Sequence, residues 1–423
     1  MQLGLRLDAR YRISVAAVAA LGILALLQQW VVDRRPAAGQ LGAAREFVVT
    51  NGADDGAGSL REAIFSAAKA DGRARIVLRA EAITLRTPLP PLVNPAGVVI
   101  VAETEGATVD GRGAGDKPVL DVDAPNSAVS GVTFDNASAQ AILVRVDGFH
   151  ITGATIRNAD EGLLAVAGIN RLVVEGTRFE NNRIGIKLES AAAGIVLRNN
   201  TFSGHRDAAF WAVRPDPAAE PRLGSIVLEG NHFGNDRISV VLGNMPATVE
   251  RNEFNKAREV AMLLIGQGAT VRNNRIRGGA GIGIFADGTH RSVIEANEID
   301  HNAALAVLVR GSRGTLVRNN RVYENGYGIA FVLNEHGDPS VAVDNMLLTQ
   351  TNDGIIVIGD SPVLRRNAAR NNRAAGLRIL NFQPLSGPRI PSNPFLDGNT
   401  LDGNTINDPV HGWYHVKREE VEK

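Results

Sequence analysis

The sequence predicts an all-β solenoid of stacked parallel coils, and three observations predict it. A short phrase recurs: an apolar residue, a charged residue, then Asn just before a second apolar residue. It occurs at Leu197–Phe202, Leu228–Phe233, Val249–Phe254, Val271–Ile276, Ile294–Ile299, Val317–Val322, Val343–Leu347 and Leu364–Ala369. The Asn nearest the second apolar residue stands at Asn200, Asn231, Asn252, Asn274, Asn297, Asn320, Asn345 and Asn367, a period of about 22 residues with two insertions. Second, nothing helical lies between the copies: alternating segments such as Ile184–Leu188 and Ile195–Leu197 are separated by Gly, Asn or Asp turns. Third, the charges keep register. The residue after the first apolar one runs Arg198, Glu229, Glu250, Arg272, Glu295, Arg318, Asp344, Arg365, and a second column, His232, Glu253, Arg275, Glu298, Arg321, also alternates in sign. Opposite charges on adjacent strands stabilise by about 0.2–1 kcal/mol per pair, so these side chains read as structural and leave the search for an active site.

Stacking at the ~4.8 Å strand spacing places each Asn above its equivalent, where amides can bond up and down the stack as a ladder. On these residues the sequence resembles the right-handed parallel β-helix superfamily, the fold of pectate-lyase-like enzymes, alginate C-5 epimerases and many secreted bacterial proteins. The resemblance covers roughly Phe47–Ile406 and implies a single-stranded right-handed parallel β-helix; it implies little about chemistry.

The elements follow in order. Arg6, Arg10 and Arg12 lie in a basic, cytoplasmic N-terminus (1–13) before an apolar run, 14–32, that is long enough to span a bilayer. The expectation is one transmembrane helix acting as an uncleaved signal anchor in a bacterial inner membrane, with the solenoid in the periplasm. Cleavage after Pro36-Ala37-Ala38, giving a secreted protein, is the alternative. A linker (33–45) leads to an N-terminal cap (46–95), in which Ser59-Leu60-Arg61-Glu62 is a capping box opening an amphipathic helix to about Ala70. The β-helix proper spans 96–407. Its early coils carry Val132, Ala154 and Thr177 in place of the ladder Asn, and a polar tail (408–423) closes the stack or hangs from it. The 423 residues need only one long domain, since a solenoid grows by adding coils. Lys+Arg and Asp+Glu both total 45, which argues against nucleic acid as a partner, and the absence of cysteine excludes disulfides and thiolate chemistry.

Chemistry is sought where coils carry insertions, because functional residues concentrate on such loops. Arg214–Leu223, Asn334–Pro339 and Asn381–Pro394 follow the same strand of their coils and should emerge along one edge. The last two, two coils apart, form walls ~10 Å apart with Gly359-Asp360-Ser361 as the floor between them. In this groove His336 is the candidate acid/base, with Glu335 or Asp338 orienting it; Arg310, Arg313, His290, Asp360 and Arg389 are candidates to bind substrate. Arginines there could hold a sugar carboxylate or stabilise an enolate. The same Asn-Glu-His-Gly-Asp-Pro stretch also reads as a solvated turn. His205, Arg206, Asp207 and Trp211, near Arg214 and Asp216, form a rival site in which Trp211 is either a sugar-stacking platform or, as an aromatic in an apolar run reads first, core. No cofactor and no metal site is expected, there being no dense carboxylate cluster.

The motifs of the family's enzymes are missing. Asp408-Pro409-Val410-His411 departs in spacing from the Asp-Pro-His-Asp motif of mannuronan epimerases, the Asn-Thr-Asp and Gly-His-Gly motifs of polygalacturonases do not occur, and Arg214–Arg222 does not match the Arg-x-Pro-x-x-Arg pattern of pectate lyases. A further column, Val241, Leu264, Phe285, Leu308, Ala330 and Ile356, is apolar where an outward face should be polar, which implies a cover from this chain or a protein partner. Two functions follow as expectations: a polysaccharide lyase or C-5 epimerase, or a non-catalytic polysaccharide-binding or scaffold subunit of an envelope or export assembly.

Overall fold

Each repeat closes one coil of three strands. The structure is a computed structural model that describes residues 44–103, 106–166, 168–189, 193–214, 226–334 and 337–415. The expected membrane segment 14–32 and the candidates Glu335 and His336 lie outside the described residues, and no helix among the described residues is long and apolar enough to cross a membrane. Among the described residues three sheets of 15, 13 and 13 strands, parallel throughout, run along the solenoid. One coil gives Ile195–Arg198 to the first sheet, Thr201–Ser203 to the second and Ala208–Val213 to the third.

The doubled Asn of the repeat does two jobs at the first corner. Asn199, Asn273 and Asn319 take φ of 54°, the left-handed region that Gly and Asn enter most cheaply. The next residue turns inward and builds the expected ladder. From Asn200 to Asn367 each amide nitrogen donates to the side-chain oxygen of the next coil's Asn at 2.9–3.0 Å. That oxygen also accepts a backbone N–H, as from Asn252 N to Asn274 Oδ1 at 3.0 Å. Thr177 occupies the position ahead of the ladder, its N–H donating to Asn200 Oδ1. Asn399 extends the ladder past the last repeat of the sequence pattern.

The second corner carries a ladder that the repeat phrase did not reveal. Asn302, Asn325, Gln350, Asn372 and Asn404 are bonded in series at 2.8–3.0 Å. The tandem Leu-Asp-Gly-Asn-Thr at 396–405 therefore supplies one residue to each ladder, Asn399 and Asn404.

Two expectations of register are corrected. Val343, not Asp344, continues the first charge column between Arg318 and Arg365; Asp344 takes the left-handed corner and pairs with Arg366 at 2.7 Å. On the third sheet Leu263, not Leu264, lies in register with Val241 and Phe285, while Leu264 points inward and is 1% exposed. A slip of one residue reverses the face. The corrected outer column, Val241, Leu263, Phe285, Leu308, Ala330 and Ile356, is apolar as expected.

Inside, Phe179, Phe202, Phe233 and Phe254 stack with centroids 4.7–5.0 Å apart. At the end of the sheets, Val410–His415 pairs in parallel with Leu377–Gln383, so the tail adds a strand to the third sheet and does not hang free at this point.

The cap helix α1 (Leu60–Ala68) begins where the capping box places it: Ser59 Oγ accepts the Glu62 N–H, and Glu62 Oε2 accepts the Gly58 N–H at 2.6 Å. Leu60, Ala63, Ile64 and Ala67 are buried against the core. Asp54 ties the helix to the following loop, accepting from Arg61 Nη2 at 2.8 Å, Arg86 N at 2.9 Å and Thr87 Oγ1 at 3.0 Å. Burial opposes ionisation of Asp54, but the Arg86 amide, Arg61 and Thr87 together hold its carboxyl below the usual range. A depressed carboxyl stabilises the fold above the unfolded-state pKa of about 3.9, and this contribution is lost as pH falls through the lower folded value. Asp54→Ala should therefore lower the melting temperature at pH 7, and the gap to wild type should close as the pH falls below about 4. A gap that persists in acid would refute the role of ionised Asp54.

Candidate functional site

Of the expected insertions, residues 215–223 lie outside the described residues; the other two follow the same sheet, and side chains beside them come together over the expected floor. The described insertions follow third-sheet strands Tyr327–Val332 and Leu377–Gln383. The second folds back on itself, Phe382 and Ile390 exchanging backbone bonds at 2.8 and 3.0 Å. At the floor, a Cβ added to Gly359 would stand 2.7 Å from Leu333 Cδ2 and from Phe382 Cβ, so Leu333, just before the first wall, and Phe382 of the second crowd over it.

The predicted groove residues are mostly committed elsewhere. Asp360 is 6% exposed and faces inward, accepting from Asn334 Nδ2 at 2.5 Å in a third polar column with Thr289, Ser312 and Ser392. Its carboxylate is thus part of the coil's interior bonding and not the groove's lining. Arg310 makes a bidentate bond to Asp287 at 2.7 and 2.9 Å and lies over the Phe285 ring at 4.8 Å; that hydrogen-bonded pairing raises its pKa. Arg389 stacks on Trp413 at 4.7 Å and bonds Gln383. Asp338 faces Arg291 at 3.6 Å, and exposed His290 and Arg313 form a backbone bridge on the neighbouring coils.

A denser constellation lies at the opposite end of the third-sheet strands, where the second sheet turns into the third. Arg277, Asp300 and Tyr323 are register partners on successive second-sheet strands. Asp300 is fully buried and contacts His301 Nδ1 at 2.6 Å, Tyr323 Oη at 3.1 Å and Arg277 at 3.4 Å. His301 Nε2 faces Glu324 Oε2 at 2.7 Å, and the His301 side chain is 54% exposed. Tyr323 donates to Glu298 Oε1 at 2.5 Å, and Arg321 lies over its ring at 5.3 Å. Burial, then the Glu298 bond and the Asp300 charge, push the Tyr323 phenol up to about 12, so it remains a proton donor at neutral pH.

Three features make this arrangement suited to proton transfer. A buried carboxylate fixes the imidazole through Nδ1, the other ring nitrogen faces an exposed carboxylate that an incoming ligand can displace, and a phenolic donor lies alongside. Histidine exchanges protons near neutrality, and Arg277 and Arg321 supply positive charge for a carboxylate or enolate.

Sequence reasoning missed His301 and set Glu298 and Arg321 aside as ladder charges. The signal was present at the second corner, where the left-handed position is filled by Asn136, Asn158, Asn181, Gly204, Asn235, Gly278, Asn371 and Gly403. His301 and Glu324, both at φ of 56°, stand there in adjacent coils, as Lys256 (φ 55°) and Thr349 (φ 54°) do in others; what sets the first two apart is that His301 Nε2 faces Glu324 Oε2 at 2.7 Å.

The match to known proteins agrees with the coils. The model of the right-handed β-helix region matches residues 120–276, 223–374 and 261–414. The chain belongs to the right-handed β-helix family. Among solved structures the β-helix is similar to the catalytic unit of a thermostable GH87 alpha-1,3-glucanase from Streptomyces thermodiastaticus, at 14% identity and a TM-score of 0.53, covering 87% of this chain and 71% of that one. It is also similar to a periplasmic alginate epimerase, at 13% identity and a TM-score of 0.46 over 69% of this chain and 76% of that one. An alginate lyase from Paenibacillus matches at 14% identity and a TM-score of 0.42, over 72% and 95%. At these identities the likeness is one of fold. No curated protein sequence matches the β-helix. Among the described residues no group of His, Asp and Glu is arranged to hold a metal ion.

Proposed function

We propose that this β-helix modifies an acidic polysaccharide by proton transfer beside a sugar carboxylate, as a lyase or C-5 epimerase. The observation that carries the reading is His301, held by buried Asp300 beside the protonated phenol of Tyr323. In this reading Arg277 and Arg321 draw charge from the carboxylate, and the C-5 proton passes to His301 Nε2 once substrate displaces Glu324. The electron pair enters the resulting enolate. Return of a proton to the opposite face completes epimerisation; expulsion of the C-4 oxygen, protonated as it leaves, forms C=C and completes lysis. Glu335, His336 and Asp338 are the competing acid/base group, served by Arg310, Arg313, His290 and Arg389. The proposal includes an inner-membrane anchor at 14–32 and a periplasm-facing solenoid.

The test incubates the purified chain with acidic and neutral polysaccharides, following absorbance of new C=C bonds and solvent deuterium entering C-5. His301→Ala should abolish the signal while His336→Ala preserves it; the reverse result would move the chemistry to the other edge.

The second reading, a non-catalytic subunit, is favoured by the apolar outer column of the third sheet. It expects silence across the panel and a co-purifying envelope partner lost in Phe285→Asp. Leu263→Asp should act likewise. Leu264→Asp would instead unfold the core and is uninformative.

A further inference from the structure

We propose that Trp211 is the platform of a carbohydrate-stacking subsite on the outer face of the third sheet, distinct from the His301 constellation; the inference rests on the reading that the protein acts on polysaccharide. Of the two readings the sequence offers for Trp211, core or sugar platform, strand alternation excludes the first by turning the side chain outward. Phe210 and Ala212 on either side are fully buried, whereas Trp211 is part-exposed between its register partners Lys187 and Val241. Among the described residues it lines a pocket of about 450 Å³ with Lys187, Leu188, Glu189 and Val213.

The polar rim of this pocket is built. Lys187 Nζ lies 2.9 Å from Glu161 Oε1 and 3.1 Å from Glu189 Oε1. The Glu161 side chain is only 5% exposed and is held further by Gln140 Nε2 at 2.9 Å and Arg183 at 3.4 Å. The ammonium is thereby fixed in place and its charge already matched. A part-exposed indole with an apolar floor and a rim of fixed donors and acceptors suits a pyranose ring, which presents C–H groups on its face and hydroxyls at its edge. An apolar protein helix or a lipid tail would bury Glu189 and Lys187 against hydrocarbon, which is costly. Because Lys187 is matched by two carboxylates, recognition rests on the ring face and hydroxyls and does not require a sugar carboxylate.

The subsite also fixes a minimum chain length. From Ala208–Val213 the third sheet passes through Ile238–Gly243, Val260–Gln267 and Ile282–His290 to Leu305–Arg310, the strand after His301. Four steps at ~4.8 Å separate the two places by about 19 Å along the axis, so only an extended oligosaccharide reaches both.

The experiment titrates full-length protein with short and long oligosaccharides, acidic and neutral, following tryptophan emission against Trp211→Phe as the blank. Emission assignable to Trp211 should shift on saturation in wild type and in His301→Asn alike. Trp211→Ala should weaken binding of long chains about tenfold, the scale of one lost aromatic contact, and raise their KM with kcat unchanged. Unshifted Trp211 emission with ligand bound, or unchanged long-chain affinity in Trp211→Ala, overturns the subsite even if His301-dependent turnover is found. A Trp211 response without any turnover supports the subsite while refuting the enzyme reading. Failure of every polysaccharide to bind overturns both. Lys187→Met, which leaves the indole in place, should weaken binding while retaining the emission shift.

Discussion

Replacing Asn274 by Leu should destabilise the solenoid by roughly 3–6 kcal/mol, one of the largest losses available to a single substitution here. Asn274 is 2% exposed and lies mid-ladder. Its oxygen accepts both the backbone N–H and the side-chain amide of Asn252 at 3.0 Å. Its nitrogen donates to Val249 O at 2.8 Å and to Asn297 Oδ1 at 3.0 Å. Leucine supplies the volume but leaves the Asn252 N–H and Val249 O on one neighbouring coil unpaired and removes a donor to Asn297 Oδ1 on the other, where water does not reach; an unpaired buried group costs about 1–3 kcal/mol. Because a solenoid depends on each coil's contact with its neighbours, the damage should spread along the axis. Chemical denaturation should show a lower midpoint, and hydrogen exchange should rise first in the coils on either side of residue 274. Arg366→Ala, which removes an exposed ion pair, should scarcely move the midpoint. Equal behaviour of the two variants would show that the ladder contributes no more than a surface contact.

The ladder was legible in the sequence because a buried amide that bonds its own copy in the next coil must recur at the coil period. The charge columns were legible for a similar reason, their alternation being imposed by neighbours on adjacent strands. Register failed at Asp344 and Leu264, where the spacing between apolar residues slips by one and the surrounding pattern offers two equally apolar faces. The second ladder escaped because Asn302, Asn325, Gln350 and Asn372 mix two residue types and sit outside the repeat phrase. Site chemistry was harder still. Asp360 looked like a surface turn residue, and only the third polar column around Asn334 shows why a carboxylate can be buried there. Trp211 looked like core because its apolar neighbours hide the alternation of faces. His301 was hidden in plain pattern: no local motif marks it, and its meeting with Asp300 and Glu324 emerges only when neighbouring corners are stacked.

That left-handed backbone gives the last prediction its sign. His301→Asn should reduce turnover by about two to four powers of ten, the usual contribution of a positioned acid or base. The same change should leave the fold as stable as wild type or more so, because Asn enters the left-handed region at lower cost than His, where a general L-residue loses roughly 1–2 kcal/mol. The ring's contacts with Asp300 and Glu324 oppose this gain, but Asp300 keeps Tyr323 and Arg277 as partners. A residue retained for architecture would give the opposite pattern, with stability and activity falling together. Tyr323→Phe separates the roles further. Its phenol stays protonated up to about 12, so it should contribute no limb to the pH profile near neutrality. Its loss should lower kcat without shifting the pH at which activity turns on. If His301→Asn instead melts earlier and turns over polysaccharide at the wild-type rate, the corner is structural and the chemistry lies elsewhere on the solenoid.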